Sequence, residues 1–458
     1  MSIPERPASP AGVRFSLTTA TALVVANMIG TGVFTSLGFQ VAGLSSGFAL
    51  ILLWVVGGMI ALFGALTYSE AGVMFPRSGG EYHYLSSMFH PALGFLAGWI
   101  SFLVGFAAPV AASAMALGRY LASALSLPEK APGLPFLQMS SGIAIAVIAA
   151  LTAVHSLDKA AGAKFQNVIT IFKVLFIFVL VGLGLALGRS AGLSFAPHAG
   201  AVRDILSPAF AVSMFFVTFS YSGWNAAAYV AGEIDRPARN LPRSLILGTL
   251  FVIAAYVLLN FVFLYAVPLP DLSGKIEIGY VFAGRVFGAA GGRVMGGIIA
   301  FLLLSSISAM VIAGPRISRV IGEDYRLFRG LSRTTRKDIP AAAIVTQGLF
   351  SVVYILTATF DQVIVFIGFT LNLFTFLTVL GVMIMRRKRP DLPRPYKTLG
   401  YPVVPVLFLF IHVYILAYGL LYRPKESLAG IGITLAGLAV YALDKKLRSR
   451  TAKPETGT

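Results

Sequence analysis

The sequence predicts an all-α membrane protein with twelve transmembrane helices, and three observations carry that reading. Of 458 residues, 57% are hydrophobic and only 12% are charged, too little polar surface to coat a water-soluble globule. The apolar residues gather in stretches of about 20 or more, the length that crosses a hydrocarbon core of about 30 Å. The basic residues fall in short loops between these stretches, so the net charge of +18 reads as membrane topology and not as a nucleic-acid footprint.

A polar, proline-containing tail (1–16) leads into the first span, 17–41, which is too long and too broken by glycine to be a signal peptide's apolar region. Spans 47–74, 92–126, 140–156 and 161–187 complete a first half, 17–187. Spans 205–232, 243–268, 292–321, 340–359 and 361–387 make a second half, 205–387. Two peripheral spans, 401–422 and 427–444, precede a basic tail, 445–458. The short fourth span, beginning near Ser141, and the tight turn at Phe360 and Asp361 are the weakest divisions, yet merging either pair would break the charge asymmetry. With both termini in the cytoplasm, the inner loops hold most of the 36 Lys and Arg, notably Arg316 to Lys337, Arg386 to Lys397 and Lys445 to Lys453, as the positive-inside rule requires. Lys275 to Gly292 reads as a short amphipathic helix covering the outer surface.

There is no cysteine, so a disulfide framework and thiol chemistry are excluded within the chain. The five histidines (His83, His90, His155, His198 and His412) show no metal-ligand spacing, and no phosphate-binding Gly-x-x-x-x-Gly-Lys-Ser/Thr loop is present. An enzyme, a resident metal or cofactor, and ATP-driven pumping are therefore not expected. A gradient or an exchanged solute would supply the energy.

The middle of the first span reads Asn27-Met28-Ile29-Gly30-Thr31-Gly32-Val33-Phe34, with two glycines and a threonine where a continuous helix would take Ala or Leu. A break is expected there. Unpaired backbone groups cost several kcal/mol in hydrocarbon, so a break is tolerated only inside protein or beside a water-filled cavity. The amides after Gly30 would point the positive end of the outer half-helix into that cavity and suit a carboxylate. Close helix packing by small residues is the alternative. The sixth span repeats the pattern at Phe219-Ser220-Tyr221-Ser222-Gly223-Trp224-Asn225. Paired breaks five helices apart point to an inverted repeat, spans one to five against six to ten, with the ligand between them at the midplane. Carbonyls at the inner half-helix ends would accept from an ammonium group, so a zwitterion suits the pair. The candidate binding residues are Met28, Ile29, Gly30, Thr31 and Gly32 with Phe219, Ser220, Ser222 and Gly223.

Lys173 is the one basic residue deep inside a predicted span, a placement costing about 2.5–3.5 kcal/mol if central and unaided. It is expected to be neutral for part of a cycle, or to stay charged against carbonyls freed by the break in span one. Glu70, Glu233 and Glu81, the last in Gly79-Gly80-Glu81-Tyr82 opposite several arginines, are candidate gate or scaffold charges, with Tyr221 and Trp224. Ser305, Ser306 and Ser308 in span eight and Asn372 in span ten are expected to bond back to their own helices rather than face a pathway.

These residues resemble the amino acid, polyamine and organocation transporter superfamily over nearly the whole chain. Asn27 to Phe34 is similar to its helix-one signature. Further matching stretches are Glu70 through Phe75-Pro76-Arg77-Ser78-Gly79-Gly80-Glu81-Tyr82, Gly94-Phe95-Leu96-Ala97-Gly98-Trp99, and Tyr221 to Asn225 leading to Glu233-Ile234-Asp235-Arg236-Pro237 and Asn240-Leu241-Pro242. The resemblance implies the leucine-transporter (LeuT-type) fold, with a 5+5 inverted repeat, discontinuous helices 1 and 6, and two peripheral helices. It implies that the Thr31 hydroxyl and Gly32 amide hold a substrate carboxylate, with Gly30 permitting close approach. Carbonyls of Met28, Phe219 and Ser222 would take the amino group, and Phe219 would also be an aromatic lid.

Phe165-Gln166-Asn167 followed by Lys173 resembles the L-type amino acid transporter branch, most like its bacterial members. There a lysine stands where sodium-coupled relatives bind an ion. This implies sodium-independent transport of small to medium neutral amino acids across the bacterial inner membrane, by exchange or proton-coupled symport. Mammalian relatives join a partner subunit through a cysteine, which this chain lacks, so the expected partners are the amino acid and membrane lipid, with no disulfide-linked subunit. An amine or polyamine exchanger and an amino acid sensor on the same scaffold are the alternatives. The first would need a carboxylate or aromatic cage in the pocket, and the second would bind without counterflow.

Overall fold

The computed structural model describes residues 14–157 and 163–451, with the side chains of 134, 135, 163–168 and 448–451 left out. The expectations for Phe165, Gln166 and Asn167, and for most of the two terminal tails, therefore lie outside the described residues. Among those described, ten helices are long and apolar enough to cross a membrane, or eleven if the pair Ala199–Ile205 and Pro208–Ser220, bent by 65°, counts as one span. Ala341–Thr357, the expected ninth span, is a shorter apolar helix of 17 residues, so the expected twelve are not all reached by length.

Both expected breaks are present. The first helix, Leu17–Met28, starts at Ser16, whose hydroxyl accepts from the Thr19 amide at 3.2 Å, a side-chain cap for an otherwise orphan donor. It stops at Ile29, and helix resumes at Gly32–Thr35 and Leu37–Gln40. The second interrupted helix runs Pro208–Ser220, breaks through Gly223, which takes φ +95°, and resumes as Ala226–Tyr229 and a 3-10 turn, Ala231–Glu233. With no Cβ, glycine adopts that conformation without steric cost. Backbone bonds tie the two helices at one end: the Phe15 amide donates to the Glu233 carbonyl (2.8 Å) and the Asp235 amide to the Phe15 carbonyl (2.9 Å).

The structure adds three features to the expected outline. The third span, Pro91–Ala124, contains a π-helical turn at Ser101–Phe106, just before Pro109. Proline has no N–H to give to the preceding turn, so the regular ladder is already interrupted there. A two-stranded antiparallel hairpin, Lys130–Ala131 with Leu134–Gln138, joins the third and fourth spans and is an exception to the all-helical outline. The expected amphipathic helix and eighth span form Ile278–Asp324, kinked at Gly288 (φ +76°). The turn between the ninth and tenth spans falls at Ala358 and Thr359, so Phe360 and Asp361 already belong to the tenth helix.

The second span, Gly47–Met74, is anchored at its N-terminus by Asp204 from another segment. The Asp204 carboxylate accepts from the Ser45 and Ser46 amides at 2.8 and 2.7 Å, meeting the positive end of the helix. Asp204→Ala is expected to lower stability by about 1.5–3 kcal/mol, the usual worth of hydrogen bonds to a charged group. Melting in detergent would measure it, and an unchanged melting curve would show that water replaces the carboxylate without loss.

Candidate functional site

The two breaks meet around a cavity of about 80 Å³. Its wall includes Met28, Ile29, Gly30, Thr31 and Gly32 from the first break and Phe219, Ser220 and Ser222 from the second. Lys173 closes one side with Ser306, while Pro109, Ser113, Ala309 and Met310 complete much of the rest. Gly223 does not line it. A Cβ there would lie 2.8 Å from the Asn27 carbonyl, so Gly223 serves the approach of one break to the other.

The Gly30 N–H faces the Tyr256 hydroxyl, and among the described residues the N–H groups of Thr31 and Gly32 donate to no protein acceptor. They are the orphan donors of a helix start, gathered where the dipole end is positive. The carbonyls are partly taken. Met28 accepts from the Tyr256 hydroxyl at 2.6 Å, and Phe219 accepts from the Ser222 amide at 3.0 Å. Each carbonyl oxygen keeps a second lone pair. The Thr31 hydroxyl is hydrogen-bonded to the Ser113 hydroxyl of the third span.

Lys173 is 3% exposed, and its Nζ donates to Ser306 Oγ at 2.6 Å. Its partner is thus a hydroxyl and not a carbonyl of the first break, the second of the two arrangements expected for it. Ser306 also reaches the Leu302 carbonyl at 3.4 Å, combining the expected back-bonding with a place on the wall. Ser308 instead meets His155 Nε2 at 2.8 Å, and the Asn372 amide donates to the Thr218 hydroxyl at 3.3 Å. Both join neighbouring helices.

The candidate gate and scaffold groups separate into different environments. Tyr221 is buried with its hydroxyl on the Trp54 carbonyl (3.1 Å), and the Trp224 ring stands edge-on to Tyr68 at 4.7 Å; neither lines the cavity. Glu70 is fully buried and held by Arg386 through Nε (2.8 Å) and Nη2 (2.6 Å), by the Thr398 amide (2.8 Å) and hydroxyl (2.7 Å), with Arg394 Nε 3.4 Å away. Glu233 is exposed and contributes its backbone to the Phe15 bridge. Glu81 was expected to face arginines. It faces the Tyr68 hydroxyl (2.7 Å) and the Asn225 side-chain amide (3.3 Å) instead.

Sequence reading passed over Ser113, Ser306 as a wall residue, and Tyr256. Pro109 and Ser113, four apart on one helix face, are a proline and a hydroxyl in an alanine-rich span, which was the available signal.

A bundle of membrane-spanning helices, two of them interrupted at a shared polar cavity, defines the class: a multi-pass membrane protein built to hold a small polar solute between broken helices. The amino acid permease family matches residues 15–441, and the chain belongs to that family, within the amino acid, polyamine and organocation superfamily. Its relatives are transporters and not enzymes. The chain is 27% identical over 430 residues to the b(0,+)-type amino acid transporter 1 of Homo sapiens, covering 93% of this chain and 87% of the relative. It is 26% identical over 434 residues to the Rattus norvegicus protein of the same name, covering 94% and 88%. It is also 27% identical over 442 residues to the large neutral amino acids transporter small subunit 2 of Homo sapiens, covering 93% and 79%.

Proposed function

We propose that this chain carries small to medium neutral amino acids across the bacterial inner membrane by alternating access, without sodium. The observation that carries the proposal is the cavity between the two breaks, where the unpartnered amides of Thr31 and Gly32 lie on a wall that includes a lysine and no carboxylate. The amides would take the substrate carboxylate, and the carbonyls of Met28, Phe219 and Ser222 its ammonium group. The lack of a wall carboxylate weighs against amines and polyamines.

In this reading the chain has the leucine-transporter fold, with 17–187 and 205–387 as inverted repeats, Ala341–Thr357 as the ninth of twelve spans, and both termini in the cytoplasm. Lys173 occupies the place of a coupling ion and stands against sodium dependence. Filling the orphan amides removes a desolvation penalty of several kcal/mol in the closed state, which links occupancy to closure.

Counterflow in proteoliposomes tests this directly. Preloading with neutral amino acids should accelerate uptake of labelled alanine equally with and without sodium, and an imposed pH gradient then separates exchange from proton coupling. Stimulation by putrescine alone would replace the substrate class, and binding without counterflow would indicate a sensor. Thr31→Val should raise the counterflow KM about five-fold, the equivalent of about 1 kcal/mol for one hydroxyl contact, with folding retained. An unchanged KM would remove Thr31 from the site.

A further inference from the structure

A buried acid outside the cavity touches the second break. Glu81 is 5% exposed and lies on the helix Gly80–Met88, which at 9 residues is too short to span the membrane. Its Oε1 accepts both the Tyr68 hydroxyl of the second span and the Asn225 amide at the end of the second break. No described residue donates to Oε2, and among the described residues no Lys, Arg or His lies within ion-pair distance.

The groups facing this carboxyl are neutral phenols: Tyr68 from the second span, Tyr84 on its own helix, and Tyr229 from the inner arm of the second interrupted helix. From the tenth span, Arg386 is committed to Glu70 and Thr378 reaches Tyr68, while Arg394, just beyond that span, lies near Glu70 and donates to the backbone carbonyls of Met385, Arg389, Pro390 and Leu392. His83, on the same helix, is pushed down to about 4 by burial and by Arg77, so it brings no positive charge near neutrality. Burial likewise pushes the Glu81 carboxyl up to about 7, against the two hydrogen bonds that favour its charged form.

We propose that Glu81 is a proton-binding site, and that its charge sets the grip of the helix Gly80–Met88 on the inner arm of the second interrupted helix through Asn225. The inference rests on the transporter reading for its consequence, but proton binding itself does not. A carboxylate accepts hydrogen bonds about twice as strong as a neutral acid does, so loss of the proton tightens the Tyr68–Glu81–Asn225 link and uptake loosens it. The proton adds to Oε2, leaving Oε1 as a weaker acceptor for the same two donors. Movement of the inner arm is thereby eased on the acid side.

Infrared difference titration of the full-length protein in detergent reads the proton directly. A carboxyl band should appear as pH falls through about 7 and be absent from Glu81→Gln; a wild-type spectrum with no such band, or a band kept in the variant, overturns the proposal. In proteoliposomes at symmetrical pH, counterflow should rise on acidification with the same midpoint. Glu81→Gln should hold the acid-side rate at every pH, while Glu81→Asp keeps a pH dependence. A Glu81→Gln profile identical to the wild type overturns the link to movement. Should Glu81→Gln fail to fold, Asn225→Ala serves instead: it should flatten the profile while the infrared band persists, and an unflattened profile counts against the link. Absence of counterflow with any amino acid would defeat the transporter reading and leave the infrared result standing.

Discussion

Glu70→Ala should leave little folded protein. The carboxylate is fully buried, and its removal strands Arg386, whose side chain is only 18% exposed, while Arg394 keeps its bonds to the carbonyls of Met385, Arg389, Pro390 and Leu392. Breaking a buried ion pair from one side costs about 3–5 kcal/mol, against a typical net stability of about 5–15 kcal/mol. The loss is spread across three elements, because Glu70 joins the second span to the tenth and to the loop at Thr398. Arg386 is further fixed by lying 3.7 Å over the Tyr401 ring. Size-exclusion chromatography after a temperature series would measure the loss, with Glu70→Gln expected between alanine and the parent because its one carbonyl oxygen can still accept from Thr398. A melting profile for Glu70→Ala that matches the parent would mean that water reaches Arg386.

Gly32→Ala should lower counterflow about 100-fold, the scale of loss when reacting or binding groups shift by about 1 Å. A Cβ at Gly32 would lie 2.5 Å from Ser220 Cα and 2.4 Å from its Oγ, well inside van der Waals contact. The backbones of the two interrupted helices must part there, and the cavity lies between them. Gly30 supplies the control. A Cβ at Gly30 meets nothing nearer than the Met28 carbonyl at 3.9 Å, so Gly30→Ala should melt like the parent. Equal transport in Gly32→Ala and the parent would show that the helix contact yields without disturbing the site.

Hydropathy and the placement of glycine made much of the architecture legible. Lipid offers no hydrogen bonds, so each crossing must be a helix of sufficient apolar length, and a glycine-rich break inside one is tolerated only at a protected site. That is why the interruptions at Ile29–Thr31 and Tyr221–Asn225 could be placed before any coordinates, and with them eight of the nine candidate binding residues on the cavity wall. The π-helical turn at Ser101–Phe106 left no such mark, because its sequence, Ser-Phe-Leu-Val-Gly-Phe, is equally apolar in either helical form.

The partners of the polar groups were decided by tertiary structure alone. Thr31 meets Ser113 across 82 residues, Met28 meets Tyr256 across 228, and Glu81 meets Asn225 across 144. Each pairing depends on how far two helices are rotated about their own axes, and hydropathy in a membrane is nearly indifferent to that rotation because lipid-facing and protein-facing sides are both apolar. Composition determined that the chain lives in lipid and where its helices break; close packing of small residues determined which polar groups, once away from water, had each other to bond.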